Sequence, residues 1–216
     1  MADGGNLNDE RSRKRRETIL DAAFHVFSRS GYRDAAVDEI ADKASTSKGG
    51  VYFHFPTKEA IFVELMRTTA DKLVERVERE VARQTDPVLQ ADAALRAVVS
   101  TFAGHRTMAK LLLVDSLGAG PAFRREIEGL HVRFARLIQG HLDQAVAEGI
   151  VPPIDTTLAS QAWFGALNET VVRWLVADRP GRLEDAYPTL RRLLLRSVGV
   201  DDARIDTIAA AAAAPR

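Results

Sequence analysis

Residues 31–59 read GYRDAAVDEIADKASTSKGGVYFHFPTKE, and the punctuation of this stretch decides the fold. Gly31 is placed to end whatever helix precedes it. Val37, Ile40 and Ala41 then fall on one face, so a short helix fits Val37 to Ala44. Ser45-Thr46-Ser47 is a turn with capping hydroxyls, a third short helix fits Lys48 to Phe53, and Pro56 breaks the chain again. Upstream, Ile19, Ala22, Ala23, Val26 and Phe27 recur at three- and four-residue spacings, which predicts an amphipathic helix from about Arg13 to Ser30. Three helices with a tight turn between the second and third are the outline of a helix-turn-helix.

The third helix carries the chemistry that outline needs. Gly49-Gly50 near its start lets the backbone come close to another molecule, and its first amides and dipole favour phosphate oxygens. Thr46, Ser47, Lys48, Tyr52 and His54 place hydroxyl, ammonium, phenol and imidazole donors within one short span, suited to the backbone contacts that dominate protein–DNA hydrogen bonding. Tyr52, Phe53 and Phe55 also admit a reading as core aromatics. Phe55 is read as core, Tyr52 as exposed, and Phe53 stays open between the two. Formal net charge is zero, yet residues 11–16 read RSRKRR, five basic positions in six. That run reads either as a DNA-contacting arm or as a solvated helix start.

The order Gly31-Tyr32, Val37 to Ala41, Ala44 to Phe55 and Lys58-Glu59 resembles the DNA-binding domain of the TetR family of transcriptional regulators, over about Arg13 to Phe62. The resemblance implies roles for named positions. Lys48, Gly49 and Tyr52 match recognition-helix positions that touch phosphate or bases, with Gly50 beside them. Thr46 and Ser47 sit where contacts and capping occur. His54 and Lys58 match positions that reach phosphate at the next helix start. Arg11 to Arg16, with Arg13 and Lys14 as the chosen contacts, would form a basic arm able to follow the backbone or a minor groove. Two departures stand out. Ala35 and Ala36 replace the usual threonine or serine, leaving Asp34 as the expected cap of the second helix. Ser45 replaces the usual turn glycine, and a positive φ there would cost about 1 kcal/mol.

Beyond Pro56 the pattern stays helical. Thr57 can cap a long helix whose stripe Ile61, Phe62, Leu65, Leu73, Val77 and Val81 runs to about Arg83. Asp86-Pro87 starts another, through about Phe102. Helices follow from Thr107 to Leu117, Pro121 to about Glu148, Asp155 to Ala177 and Leu183 to Val198, with breaks at Gly118–Pro121, Gly149 with Pro152-Pro153, and Asp178–Gly181. No segment alternates like a strand. The expected fold is all-α: a disordered basic arm over 1–12, a three-helix helix-turn-helix domain over 13–60, a larger helical ligand-binding and dimerisation domain over 61–200, and a flexible tail over 201–216.

Composition narrows the function. The chain has 216 residues, 46% apolar and 28% charged, a globular balance. Cysteine is absent, which excludes disulfides, thiol chemistry and cysteine metal sites. The N-terminus lacks the apolar stretch of a signal peptide and no run reaches 18 apolar residues, so a soluble, cytoplasmic protein without a membrane partner is expected. HExxH, GxSxG and Walker patterns are missing, Gly118-Ala119-Gly120 follows no strand, and His105, His131 and His141 lack i, i+4 pairing. An enzyme, a metal site and a cofactor are therefore not expected.

The second domain points to a small-molecule effector. Trp163, Phe164, Leu167, Thr170, Val171 and Trp174 fall along one broad helix face, with polar residues interspersed, as in apolar pockets between helices. The same rings would serve a core or a subunit interface. Candidate pocket residues are Phe102, Leu112, Phe134, Trp163, Leu167 and Val171, with His105, Asn168 and Arg173 as polar contributors. Leu111 to Gly118, with Asn168-Glu169 and Arg173-Trp174-Leu175, loosely resembles family members that sense lipophilic compounds, some of them acyl-CoA thioesters. The resemblance also implies a homodimer built from the last two long helices, on the stripe Leu183, Tyr187, Leu190, Leu194 and Val198 and the small residues Ala162, Gly165 and Ala166. Such a dimer would read a near-palindromic operator in double-stranded DNA as a ligand-responsive repressor. The rival from another class is a helical binding or carrier module that no longer reads DNA, for which Ala35, Ala36 and Ser45 speak.

Overall fold

A computed structural model describes residues 4–114 and 121–213. Ten α-helices and one 3₁₀ turn follow one another among them: α1 (Gly4–Asp34), α2 (Val37–Lys43), α3 (Lys48–His54), α4 (Lys58–Val81), α5 (Pro87–Gly104), α6 (Arg106–Leu113), α7 (Pro121–Ala147), α8 (Thr156–Val176), the 3₁₀ turn Leu183–Ala186, α9 (Tyr187–Ser197) and α10 (Asp202–Ala213). The all-α expectation holds. The expected break at Gly118–Pro121 falls largely on residues outside those described.

Caps explain several starts. Thr57 accepts from the Ala60 amide at 3.0 Å ahead of α4. Asp86 accepts from Val88 (2.8 Å) and Leu89 (3.1 Å) with Pro87 at the first helical position of α5. Asp155 accepts from Leu158 at 2.9 Å ahead of α8. Each such bond satisfies an amide that the helix itself leaves without a partner.

Two compact units result. The first comprises residues up to Ala70 together with Thr107–Phe123, and the second comprises Asp71–Arg106 with Arg124 onward. The boundary therefore lies inside α4, about ten residues beyond the expected one at 60, because Leu65, Met66 and Ala70 are still buried in the helix-turn-helix unit. In that unit Phe27, Phe62 and Phe123 are buried, with Phe27–Phe62 at 5.1 Å and Phe62–Phe123 at 5.3 Å, both edge-on. Tyr32 meets Phe123 at 4.8 Å. Each such phenylalanine contributes roughly 1.5–3 kcal/mol by leaving water, and edge-on pairing adds to it.

In the second unit, Val88, Leu142, Ala145, Val151, Leu195, Val198, Val200 and Ile205 form a core against which Trp163 packs. Asp92, Ser160 and Arg191 are the buried polar residues among those described, and Asp92 on α5 accepts from the Tyr187 hydroxyl and from Arg96 at 2.9 Å. Burial, reinforced by that bond to Asp92, pushes the Tyr187 phenol up to about 12.

Both chain ends correct the expectation. Helix α1 begins at Gly4, so residues 4–12 lie within a helix rather than in the disordered arm expected over 1–12. Acidic residues one turn ahead of basic ones, such as Asp9 before Arg13 and Glu10 before Lys14, favour that extension. Gly31 does interrupt α1, with φ 74° and ψ 167°. After residue 200 the expected flexible tail is α10. Asp201 caps it through the Arg204 amide (2.8 Å), Ile205 is fully buried, and Arg192 and Arg196 both pair with Asp202. Arg204 also reaches Asp86 at 2.6 Å, and this contact with the two capping amides holds the Asp86 carboxyl below the usual carboxylate range against the opposing effect of burial. Alanine, the dominant residue of this tail, is the best helix former, so low complexity here encodes order.

Candidate nucleic-acid interface

The turn between α2 and α3 is a complete Schellman motif. The Ser45 amide bonds the Asp42 carbonyl at 3.1 Å and the Thr46 amide bonds Ala41 at 3.0 Å. This requires a left-handed residue after the helix, and Ser45 takes φ 50°, the one positive φ outside glycine among the described residues. The expected strain is present. The second departure is present too: α2 is capped by Ala36 with no side-chain bond, so Asp34 does not take that role. Asp34 is instead the final residue of α1.

Helix α3 starts where Ser47 accepts from the Gly50 amide at 3.0 Å. Val51 is fully buried and fastens the helix to the unit, while Ser47, Lys48, Gly49, Tyr52 and Phe53 are exposed and Thr46, Gly50 and His54 are half-buried. The two glycines differ. A Cβ on Gly49 would meet only Ser47 Oγ at 3.8 Å, whereas one on Gly50 would lie 2.4 Å from Thr46 Oγ1. Gly49 therefore leaves the surface bare, and Gly50 serves the turn beneath it. Phe55 is buried, as expected, and Phe53 resolves in the other direction at 83% exposed.

The cations are already engaged. Lys48 Nζ donates to Asp38 Oδ2 at 2.9 Å, and this bond with its charge holds the ammonium above the ordinary lysine value. Lys58 donates to the carbonyls of Arg33 (2.9 Å) and Ala35 (3.0 Å) and lies over the Tyr32 ring, so it ties the α1–α2 connection to α4. Arg16 bonds the His54 carbonyl (2.9 Å) and Glu64 (3.1 Å) and stacks on Phe55. Arg13 pairs with Glu17 at 3.7 Å, and Lys14 is exposed beside it on α1. Burial first, then Arg16 and Arg15, push the His54 imidazole below its ordinary value.

The expected effector residues line neither of two surface depressions on the chain. Phe102, Phe134, Leu167 and Asn168 are half-buried, Val171 is buried, and His105 is an exposed cap at the end of α5. Trp163 donates to Ser197 at 3.0 Å against the core. Arg173 is a surface residue paired with Glu169 at 2.5 Å, which removes it from any enclosed site. Leu112 belongs to the first unit. Two surface depressions are lined by other residues: Gly129, Val132, Arg133, Arg136 and Leu137 on α7, and Val26, Arg29, Glu39, Asp42 and Lys43 on α1 and α2. Sequence reasoning missed the ring cluster of His131 and Phe134 with Phe164, at 4.8 and 6.4 Å. The i, i+3 spacing of His131 and Phe134 was its available signal.

The expected dimer stripe is corrected as well. Leu183, Leu190, Leu194 and Val198 are buried within the chain and Tyr187 bonds Asp92, so they face their own core. Exposed apolar residues of the second unit include Leu158, Ala162, Gly165 and Val176 along α8, Leu193 on α9 and Val132 on α7. Among the described residues no group of three or more His, Asp or Glu could hold a metal, and no helix is long and apolar enough to cross a membrane.

A short capped helix fastened by one buried valine, behind a tight turn, defines a protein of the helix-turn-helix class. The family model "Bacterial regulatory proteins, tetR family" matches residues 19–65, and "Tetracyclin repressor-like, C-terminal domain" matches 84–198. The chain belongs to the TetR family of bacterial transcriptional regulators. It is 34% identical over 177 residues to the transcriptional repressor KstR2 of Rhodococcus jostii, covering 77% of this chain and 81% of that protein. It is 25% identical over 181 residues to the fatty acid metabolism regulator protein of Bacillus subtilis, covering 83% and 93%. The crystal structure of the regulator FadR from Bacillus subtilis in complex with stearoyl-CoA has the same fold, with a TM-score of 0.76 at 24% identity, over 85% of this chain and 97% of that one.

Proposed function

We propose that this regulator is a cytoplasmic homodimeric repressor that binds a near-palindromic operator in double-stranded DNA and is released by a small lipophilic effector. The observation that carries the reading is the surface of α3, where Ser47, Lys48, Gly49 and Tyr52 are exposed together above a buried Val51. Thr46, Gly50 and His54 flank them, and Arg13 and Lys14 supply further positive charge on α1. Lys58 acts by holding the α1–α2 connection in place, with one ammonium hydrogen left for phosphate. The face Leu158, Ala162, Gly165 and Val176 on α8 suits close approach of a second copy, since small residues allow helix backbones to come near.

A lipophilic effector is supported by the half-buried apolar side chains Phe134 and Leu167, and by the likeness to a fatty acid metabolism regulator protein and to a regulator crystallised with stearoyl-CoA. Phe134, Leu167, Asn168 and Val171, with Phe102, are the proposed contacts. Helix α4 belongs to both units, so a conformer selected by the effector would move the recognition helices. Such an effector shifts the equilibrium only by its differential affinity for the two conformers. The test is selection of bound duplexes from a random pool, followed by mobility shifts with stearoyl-CoA. A two-fold symmetric consensus released by the thioester is the expected result. Enrichment of no sequence by folded protein at low salt overturns the DNA reading, and unchanged affinity at saturating thioester overturns the effector.

A further inference from the structure

Helix α3 turns one residue straight outward, and that residue has no hydrogen-bonding atom. At 3.6 residues per turn, the face opposite Val51 is occupied by Gly49 and Phe53, one turn apart. Lys48 and Tyr52 lie on one flank of that face, and Gly50 and His54 on the other. Phe53 is 83% exposed, and its described ring contact is an edge-on approach to His54 at 5.1 Å. Gly49 adds no side chain beside it. The outermost strip of α3 is thus a phenyl ring next to bare backbone, with the polar donors set to the sides.

In the major groove that arrangement has a specific complement. Donors on the flanks meet groove walls and phosphates, whereas the outermost residue meets the base edges. Guanine, adenine and cytosine present acceptors and amino groups there, which a phenyl ring would desolvate without replacing their bonds. Thymine presents a C5-methyl group, the one apolar element on the groove floor. We propose that Phe53 is a specificity-determining residue that packs on a thymine methyl in each half-site of the operator. The proposal rests on the DNA-binding reading above.

The experiment selects operators with the full-length wild-type protein and with Phe53→Ala, then replaces each consensus thymine by deoxyuridine, which removes the methyl alone. Wild type is expected to lose about fourfold in affinity per half-site at one symmetry-related thymine pair, the value of one buried methyl. Phe53→Ala should be indifferent to that same replacement and select any base there, while retaining the rest of the consensus and its melting temperature. Sensitivity to deoxyuridine that survives Phe53→Ala, or a wild-type protein that ignores every thymine methyl, overturns this proposal and leaves the regulator reading intact. A wild-type protein that selects no operator overturns both.

Discussion

Lys48 on α3 and Asp38 on α2 form an exposed ion pair, 2.9 Å from ammonium to carboxylate, across the helix-turn-helix. Asp38 lies in the first turn of α2, where a carboxylate is stabilised by the helix dipole. A phosphate that takes the lysine must therefore displace a neighbouring carboxylate and then tolerate its charge. Asp38→Asn is expected to tighten binding to all duplexes by about two- to fivefold at low salt, the range an exposed pair supports. Lys48→Ala should weaken every sequence similarly and lower the salt slope by about one. Binding isotherms over a salt series check both, and an Asp38→Asn protein with unaltered affinity would place the lysine away from phosphate.

Ser45 holds a conformation that glycine takes without a Cβ penalty. Ser45→Gly should raise stability by about 0.5 kcal/mol, since the left-handed strain exceeds the extra entropy glycine brings to the unfolded chain. Urea denaturation measures it, and a midpoint that falls instead would mean the serine hydroxyl contributes more than its backbone costs.

Ala36 begins α2 without a side-chain acceptor. Ala36→Ser should add about 1 kcal/mol of stability by satisfying one of the first amides of the helix. Thermal melting is the readout, with Asp34→Ala as the comparison. Loss of stability in Asp34→Ala equal to that of a removed cap would contradict the assignment of Ala36.

The two glycines of α3 should respond oppositely. Gly49→Ala has open space and is expected to stabilise by about 0.5 kcal/mol while weakening operator binding at least tenfold. Gly50→Ala must push Thr46 aside and should cost about 1–2 kcal/mol, recovered when combined with Thr46→Ala. Denaturation and mobility shifts on all four proteins separate fold from recognition.

His54 predicts a pH dependence. Its folded-state value lies below 6.5, so the unfolded chain takes up the proton first as pH falls. The stability that the neutral ring contributes is fully present above pH 6.5 and diminishes as pH drops toward the folded value. His54→Gln should make the decline between pH 7.5 and 5.5 shallower, and an NMR titration should place the wild-type ring below 6.5.

The helix-turn-helix was readable because its information is local. Gly31, Ser45 to Ser47 and Pro56 mark where helices stop, and the turn at Ser45 adopts the conformation its position demanded. The second unit was legible in helix order but not in the use of each face. Leu183 to Val198 reads equally well as a partner-facing or core-facing stripe, and only packing within the chain, against α5 among others, turns it inward. Arg173 looked like a polar pocket group, and its pairing with Glu169 one turn earlier keeps it outside. The end of the chain was misread for a different reason. Composition alone does not reveal that Asp202 and Asp206 stand in register with Arg192 and Arg196, or that Ile205 joins the core.

The described neighbours of Gly49 and Phe53, namely Ser47 and His54, belong to the same short helix and its cap. Val51 on the reverse of the same helix secures it, and the Ser45 turn sets its direction. Substitutions at the two outward positions can therefore accumulate across a lineage without eroding the core. A duplicated gene could acquire a new set of target promoters in a few steps while keeping its fold. The architecture separates the address a regulator reads from the machine that reads it.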